Sequence, residues 1–260
     1  MNKIKELQKD NLHRLVTNKA FQFTNTFFPY TSGEIGPYYI QSASILKNGR
    51  DYMGACKDME KIINMTIEDH EFDIISGGET RDWMFSFPLA NTLQKSHAML
   101  YKNGKILGAN MKDKKVIHIA DLNNEGSSPR DYWIPMIKQA GGEIKDIFFY
   151  VDRMEDGVNE IEKLGLDSHS LVPLDKTAWQ ILLDKDVITP EIYNNLNQRM
   201  ENKEEWAINM LRSDKGLYDL ASLLKDDKTY NKGIKIVRKY PEIKQELRER
   251  FSKTSMNLRI

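Results

Sequence analysis

Residues 116–128 read Val-Ile-His-Ile-Ala-Asp-Leu-Asn-Asn-Glu-Gly-Ser-Ser, which sets one carboxylate, Asp121, just ahead of a small polar loop. The mostly apolar run Val116–Ile119 has the character of a buried parallel strand. The loop Asn124-Glu125-Gly126-Ser127-Ser128 follows, and a helical pattern begins near Pro129. An acid at the carboxyl end of such a strand stands where open α/β sheets bind ligands. The loop N–H groups and the dipole of the following helix can hold a phosphate next to it. Hydroxyls for the acid and a phosphate for the loop describe a sugar phosphate. A strand, an acid and a small-residue turn also describe an ordinary structural βα corner, and this stretch alone leaves both readings open.

A second stretch, Gly77-Gly78-Glu79-Thr80-Arg81-Asp82-Trp83, follows another short apolar run, Phe72–Ile75. Its glycine backbone and Arg81 can reach the same sheet edge as Asp121. Arg81 is either a phosphate clamp or a solvated loop residue paired with Asp82. His118, inside the strand, reads as a core histidine with its hydrogen bonds met. The basic stretch Lys232–Lys239 reads as a solvated helix face rather than a nucleic-acid contact.

The elements that must position these groups alternate. A helix is expected over residues 1–25, with Ile4, Leu7, Leu12, Leu15 and Val16 on its stripe. Ser32-Gly33 and Gly36-Pro37 punctuate a hairpin or bent strand pair between Phe28 and Ile40. Residues 41–71 read as helical, and a further helix opens at Phe87-Pro88-Leu89-Ala90. Strands are expected at Phe72–Ile75, His97–Tyr101, Val116–Ile119, Ile147–Val151 and Ser168–Val172, with helices over Tyr132–Ala140 and Gly157–Leu164. Gly141-Gly142 and Gly165 close those two helices. Alternation of this kind predicts an α/β fold with a parallel sheet. From about Asp184 the chain turns charged and helical, with four or five helices expected. The expected domains are therefore an α/β domain over residues 1–185, including a small N-terminal hood, and a helical C-terminal extension over 186–260.

Composition narrows the setting. With 40% hydrophobic and 29% charged residues, the 260-residue chain has enough apolar content for one large domain and an accessory piece. Net charge is zero, so the total carries no electrostatic footprint for nucleic acid or an anionic membrane. The single cysteine, Cys56, excludes an internal disulfide and suits a reducing compartment. The first ten residues are charged and lack a signal-peptide core. No run approaches the roughly 18 apolar residues that cross a bilayer. The expectation is a soluble cytoplasmic protein without membrane or nucleic-acid partners.

In this order, the blocks resemble those of the type I phosphoribosyltransferases, most closely the orotate phosphoribosyltransferases. The family's phosphoribosyl-pyrophosphate (PRPP) motif joins four apolar residues, two acids, two apolar residues and a Thr-Thr-Gly-type loop, and Val116–Ser128 fits it in register. Phe28, Ser32-Gly33 and Pro37-Tyr38 match an N-terminal F-x-x-x-S-G-x-x-x-P-Y block. Asp73, Gly77 and Pro88-Leu89-Ala90 match a D-x-x-x-G…P-L-A block. Val151-Asp152-Arg153, Glu155, Gly157 and Gly165 match a V-D-R-x-E-x-G…G block of the orotate branch. The resemblance covers roughly residues 20–185.

The resemblance implies a glycosyl transfer from PRPP to a pyrimidine-like base, with release of pyrophosphate through an oxocarbenium-like state. It implies that Asp121 holds ribose hydroxyls and that the backbone of Asn124, Glu125, Gly126, Ser127 and Ser128 wraps the 5′-phosphate. Gly77, Gly78, Arg81, Lys102 and Lys105 would approach the pyrophosphate. Arg153 would face the orotate carboxylate, and Tyr39 would lie against the base. Mg²⁺ would be bound mainly through the pyrophosphate, with no metal site of the protein's own, and the protein would be a homodimer. The departures are specific. Ala120 replaces the first acid, Asn124-Glu125 replace two hydroxyl residues, Thr31 replaces a lysine, and the basic loop after Tyr101 is short. They keep open a second reading, a catalytically degenerate relative that binds a nucleotide or sugar phosphate as a sensor or interaction module.

Overall fold

The computed structural model describes residues 2–251; Met1 and residues 252–260, the tail of the expected extension, lie outside the described residues. The chain divides into two compact units, Met1–Ala20 with Gln41–Ala178, and Phe21–Ile40 with Trp179–Ile260. The hairpin of residues 21–40 thus groups with the C-terminal helices, whereas the sequence pattern places it in the α/β part and the division at 185.

The first unit opens with helix α1 (Asn2–Thr17). The expected helix over 1–25 stops there, because Lys19 turns the chain at φ 54° and the alternating aromatics after it favour extended backbone. A 3₁₀ segment (Ser42–Lys47) and α2 (Gly49–Thr66) replace the single helix expected over 41–71. Asn48 separates them: its side chain caps α2 through the N–H groups of Arg50 and Asp51.

The sheet of this unit runs β3 (Ile74–Gly78), β4 (Ser96–Leu100), β5 (Ile106–Gly108), β6 (Lys115–Asn123), β7 (Glu143–Asp152) and β8 (Asp167–Pro173); β1 and β2 belong to the other unit. Its spatial order is β5-β4-β3-β6-β7-β8. Every neighbouring pair is parallel except β4 and β5. Edge strand β5 is short and lies in a stretch that reads as a plain connection. Alternate residues face opposite layers, as strand geometry requires. Ile74, Val116, Ala120 and Phe149 pack with Trp133, Ile134, Ile137 and Ile161, contributed by a π-helical turn (Pro129–Trp133), α4 (Ile134–Gln139) and α5 (Asp156–Lys163). On the other face Tyr150 meets Phe85 of α3 (Trp83–Thr92) with ring centroids 4.4 Å apart. The parallel α/β architecture expected from the alternation is present.

In the second unit β1 (Phe21–Pro29) and β2 (Ile35–Ile40) form an antiparallel hairpin whose register shifts between Phe23 and Phe28. After α6 (Lys176–Asp184), which begins in the first unit, come α7 (Pro190–Glu201), α8 (Lys203–Arg212), α9 (Asp214–Lys225), α10 (Tyr230–Lys239) and α11 (Ile243–Phe251). Phe27 and Ile35 of the hairpin share a core with Trp206, Leu211, Leu220, Ile236 and Leu247 of these helices. Buried Glu34 is held there by Lys203 at 2.8 Å, with Lys239 at 3.8 Å and Arg199 at 3.9 Å. Among the described residues no helix is long and apolar enough to cross a membrane.

Candidate functional site

Asp121 sits near the carboxyl end of β6 and is only 6% exposed. Its carboxylate accepts a short hydrogen bond from the Ser42 hydroxyl. The Arg81 Nε lies 3.5 Å from the same oxygen. Its backbone N–H donates to Asp82 Oδ1 at 2.9 Å. Burial, then the neighbouring Asp82 charge, push the Asp121 carboxyl up to about 6, while Arg81 and Ser42 pull it down. Ala120 faces the other way, 4% exposed among Trp133 and the apolar residues of α4. A carboxylate at position 120 would be buried in that apolar layer, so the strand end carries one acid where the family pattern has two.

The loop after β3 brings the second group of expected residues to this edge. Gly77 and Gly78 close the strand, and both are buried. The Glu79–Thr80 peptide bond is cis. Trp83 Nε1 donates to the Gly77 carbonyl at 2.9 Å, and Gly78 N–H donates to Asp82 Oδ2 at 3.0 Å. Arg81, 52% exposed at its side chain, pairs with Asp121 rather than with Asp82, which was its alternative partner in the sequence. Lys102 and Lys105 flank the β4–β5 turn and are exposed. The Lys102 N–H donates to Glu79 Oε1 at 2.8 Å, tying that turn to the Arg81 loop. Their ammonium groups lie over aromatic rings, Lys102 over Tyr132 at 5.6 Å and Lys105 over Tyr101 at 5.7 Å.

Asn124–Ser128 leaves β6 and turns into a helical start at Ser127. Gly126 adopts φ +66°, and a Cβ there would also press on Glu160 Cβ at 2.9 Å, so position 126 favours glycine twice over. The carbonyl of Gly126 accepts from Arg130 N at 3.0 Å, and that of Asn124 from Gly157 N at 3.0 Å. The first N–H groups of this helical start have no carbonyl one turn back to bond, which leaves them for an anion. Glu125 is half-buried within the same loop.

Arg153 follows β7, 6% exposed, with its N–H bonded to the Asn123 carbonyl at 3.1 Å. Its guanidinium lies 3.5 Å from Glu155 Oε1. Asp152 before it accepts from Asn123 Nδ2 at 2.9 Å and from Met154 N at 2.7 Å; burial raises its carboxyl. Tyr39 lies on β2 of the second unit, 43% exposed, with its ring centroid 6.5 Å from that of Phe28. The first unit therefore brings together Asp121, Arg81, Gly77, Gly78 and the 124–128 loop, with Arg153 on the adjoining strand end.

Two partners of Asp121 were not singled out in the sequence. Ser42 lies 79 residues away in a segment read only as helix. Asp82 was read only as a possible neighbour of Arg81. His118 needs a correction. It is fully buried, and Nδ1 lies 3.0 Å from Ser76 Oγ. Its Nε2, however, has no hydrogen-bond partner and lies 3.6 Å from Asp82 Oδ2, so its hydrogen bonds are only half met. As for a metal, among the described residues no group of three or more His, Cys, Asp or Glu is placed to hold one. A Mg²⁺ ion used with a diphosphate would take its ligands from diphosphate oxygens and water, as that ion commonly does, and no residue of this chain is assigned to it.

No family model matches the chain. In sequence it is similar to the orotate phosphoribosyltransferase of Saccharolobus solfataricus, 25% identical over 187 residues, 68% of this chain and 91% of that protein. In fold it is similar to the UMP synthase of Leishmania donovani, with a TM-score of 0.64 at 20% identity. That likeness covers 75% of this chain but only 42% of the longer one. The orotate phosphoribosyltransferase of Francisella tularensis superposes with a TM-score of 0.60 at 16% identity, over 73% of this chain and 96% of that one. In sequence and in fold alike, the chain is similar to proteins named orotate phosphoribosyltransferase.

Proposed function

We propose that this protein transfers a phosphoribosyl group from PRPP to orotate, releasing pyrophosphate. The bond from ribose C1 to the pyrophosphate oxygen breaks as a bond from a ring nitrogen of orotate forms, and that nitrogen's proton is released. The observation that carries the reading is the juxtaposition of Asp121 and Arg81 beside the helical start of residues 124–128, at one end of a parallel sheet.

Each side chain then has a task. As a carboxylate, Asp121 accepts hydrogen bonds from the ribose hydroxyls, with Ser42 fixing its orientation. The N–H groups of residues 124–128 receive the 5′-phosphate. Arg81 is half exposed and can exchange the Asp121 oxygen for pyrophosphate oxygens. Lys102 and Lys105 add positive charge at the same end of the sheet, which favours the departing pyrophosphate. Arg153 offers a planar fork to the orotate carboxylate in exchange for Glu155. Mg²⁺ on the pyrophosphate would neutralise charge as it leaves.

The reading extends to a cytoplasmic homodimer that acts in pyrimidine synthesis. Exposed Leu46, Met53 and Met65 supply apolar surface for a dimer contact. The decisive experiment follows pyrophosphate release from PRPP and Mg²⁺ with orotate, uracil or adenine as acceptor. Release with orotate alone is expected. Tight PRPP binding without release for any base would replace the enzyme with a sugar-phosphate-binding relative.

A further inference from the structure

We propose that Asp82 is the second acid of this site, a positioning residue for Asp121 that makes ribose binding sensitive to acid. It rests on the reading of Asp121 as the ribose ligand. With Ala120 turned into the apolar layer, the strand cannot supply a second carboxylate; the loop between β3 and α3 supplies one instead.

The geometry is unusual for an acid at the start of a helix. Asp82 precedes α3, where an aspartate ordinarily caps the first N–H groups, yet its side chain makes no cap bond. Both oxygens turn to the sheet: Oδ2 accepts from Gly78 N at 3.0 Å and Oδ1 from Asp121 N at 2.9 Å. One carboxylate thus clamps the end of β3 to β6 at the functional acid. Its side chain is 10% exposed.

A buried ring on β6 also faces Asp82. Ser76 has one O–H, and its Oγ lies 3.1 Å from the Ile117 carbonyl. With that proton donated to the carbonyl, His118 Nδ1–H must be the donor to Ser76 Oγ. The buried His118 Nε2 then faces Asp82 Oδ2 at 3.6 Å without a hydrogen bond. The groups that face Asp121 are therefore Asp82 and Arg81 from the loop and the Ser42 hydroxyl from the 3₁₀ segment, with His118 of β6 acting through Asp82. Arg81 sits half in solvent, so its opposing pull is screened more than the push from buried Asp82. Burial first, and the Asp82 charge second, raise the Asp121 carboxyl to about 6.

The test is the pH dependence of PRPP affinity, read together with the carboxyl ¹³C titration of Asp121, in the full chain and in Asp82→Asn. In the unaltered protein the Asp121 carbon is expected to titrate near 6 and PRPP affinity to fall below that pH. In Asp82→Asn both midpoints are expected to move at least about one pH unit toward the ordinary carboxylate value. A role in packing alone would weaken binding at every pH and leave the midpoints in place, which overturns the proposal. An Asp121 carbon that titrates in the ordinary range in the unaltered protein overturns it without any variant. If PRPP does not bind at any pH while the Asp121 midpoint still shifts, the coupling stands and the ribose reading fails.

Discussion

Gly78 lies against the indole of Trp133: a Cβ at position 78 would stand 2.2 Å from Trp133 Cε2. Trp133 ends the π-helical turn that follows the 124–128 loop, and Gly78 ends β3 beside Asp82. The contact sets the proposed phosphate loop against the proposed pyrophosphate loop through a buried ring.

Gly78→Ala should therefore be costly. Forcing a methyl group into a filled space typically costs about 1–3 kcal/mol, and here the obstacle is a buried aromatic ring rather than a flexible chain end. Urea denaturation should show the unfolding free energy falling by that amount, with a lower midpoint. A midpoint equal to that of the unaltered protein would mean that Trp133 can move aside.

Asp121→Asn should separate binding from stability. The native carboxyl is raised above its ordinary value, so the native state favours the protonated form. Its favourable contribution is complete below the unfolded value near 4 and is lost as pH rises through about 6. At pH 8 the native protein carries the full cost of the buried charge, on the order of 1–3 kcal/mol. Removing that charge should leave the melting temperature at pH 8 unchanged or higher, while PRPP binding measured by calorimetry is lost. A lower melting temperature with PRPP affinity intact would reverse both assignments.

Glu125 places a carboxylate in the loop proposed to receive the 5′-phosphate. Two like charges a few ångströms apart oppose each other by on the order of 1 kcal/mol in water, close to a fivefold change in affinity. Glu125→Gln should tighten PRPP binding about that much, with the gain shrinking as salt is added. Equal affinities at low salt would show that the Glu125 carboxylate is directed away from the phosphate.

Arg153→Ala should act on the base alone. Loss of the buried guanidinium proposed to exchange Glu155 for the substrate carboxylate should raise the orotate KM at least about tenfold, from the 1.5–3 kcal/mol range of hydrogen bonds to charged groups. The KM for PRPP should stay within about twofold, since Arg153 is assigned no contact with it. Steady-state kinetics with each substrate varied in turn checks this, and a parallel rise in both constants would point to a disrupted fold rather than a lost contact.

Sequence alone determined the α/β alternation, the strand that delivers Asp121, and the small-residue loop after it. Those features are local. Residues with apolar side chains at strand or helix spacing declare which backbone they favour, and an acid followed by a turn declares the strand end. The same logic failed where local signals compete. The helix expected through residue 25 gives way to β1 after Lys19, and β5 is too short at Ile106–Gly108 to show a period.

Only tertiary structure decided who stands beside Asp121. Ser42 arrives from 79 residues earlier, Arg81 chooses Asp121 over its neighbour Asp82, and Asp82 forgoes capping its own helix to clamp two strand ends. Ala120 reads as a missing carboxylate, yet its side chain belongs to an apolar layer that the sequence shows only as scattered residues of α4, α5 and the sheet. Strand geometry explains the division: adjacent side chains point to opposite faces, so Asp121 and Ala120 meet different neighbours, and those neighbours are set by packing between distant elements.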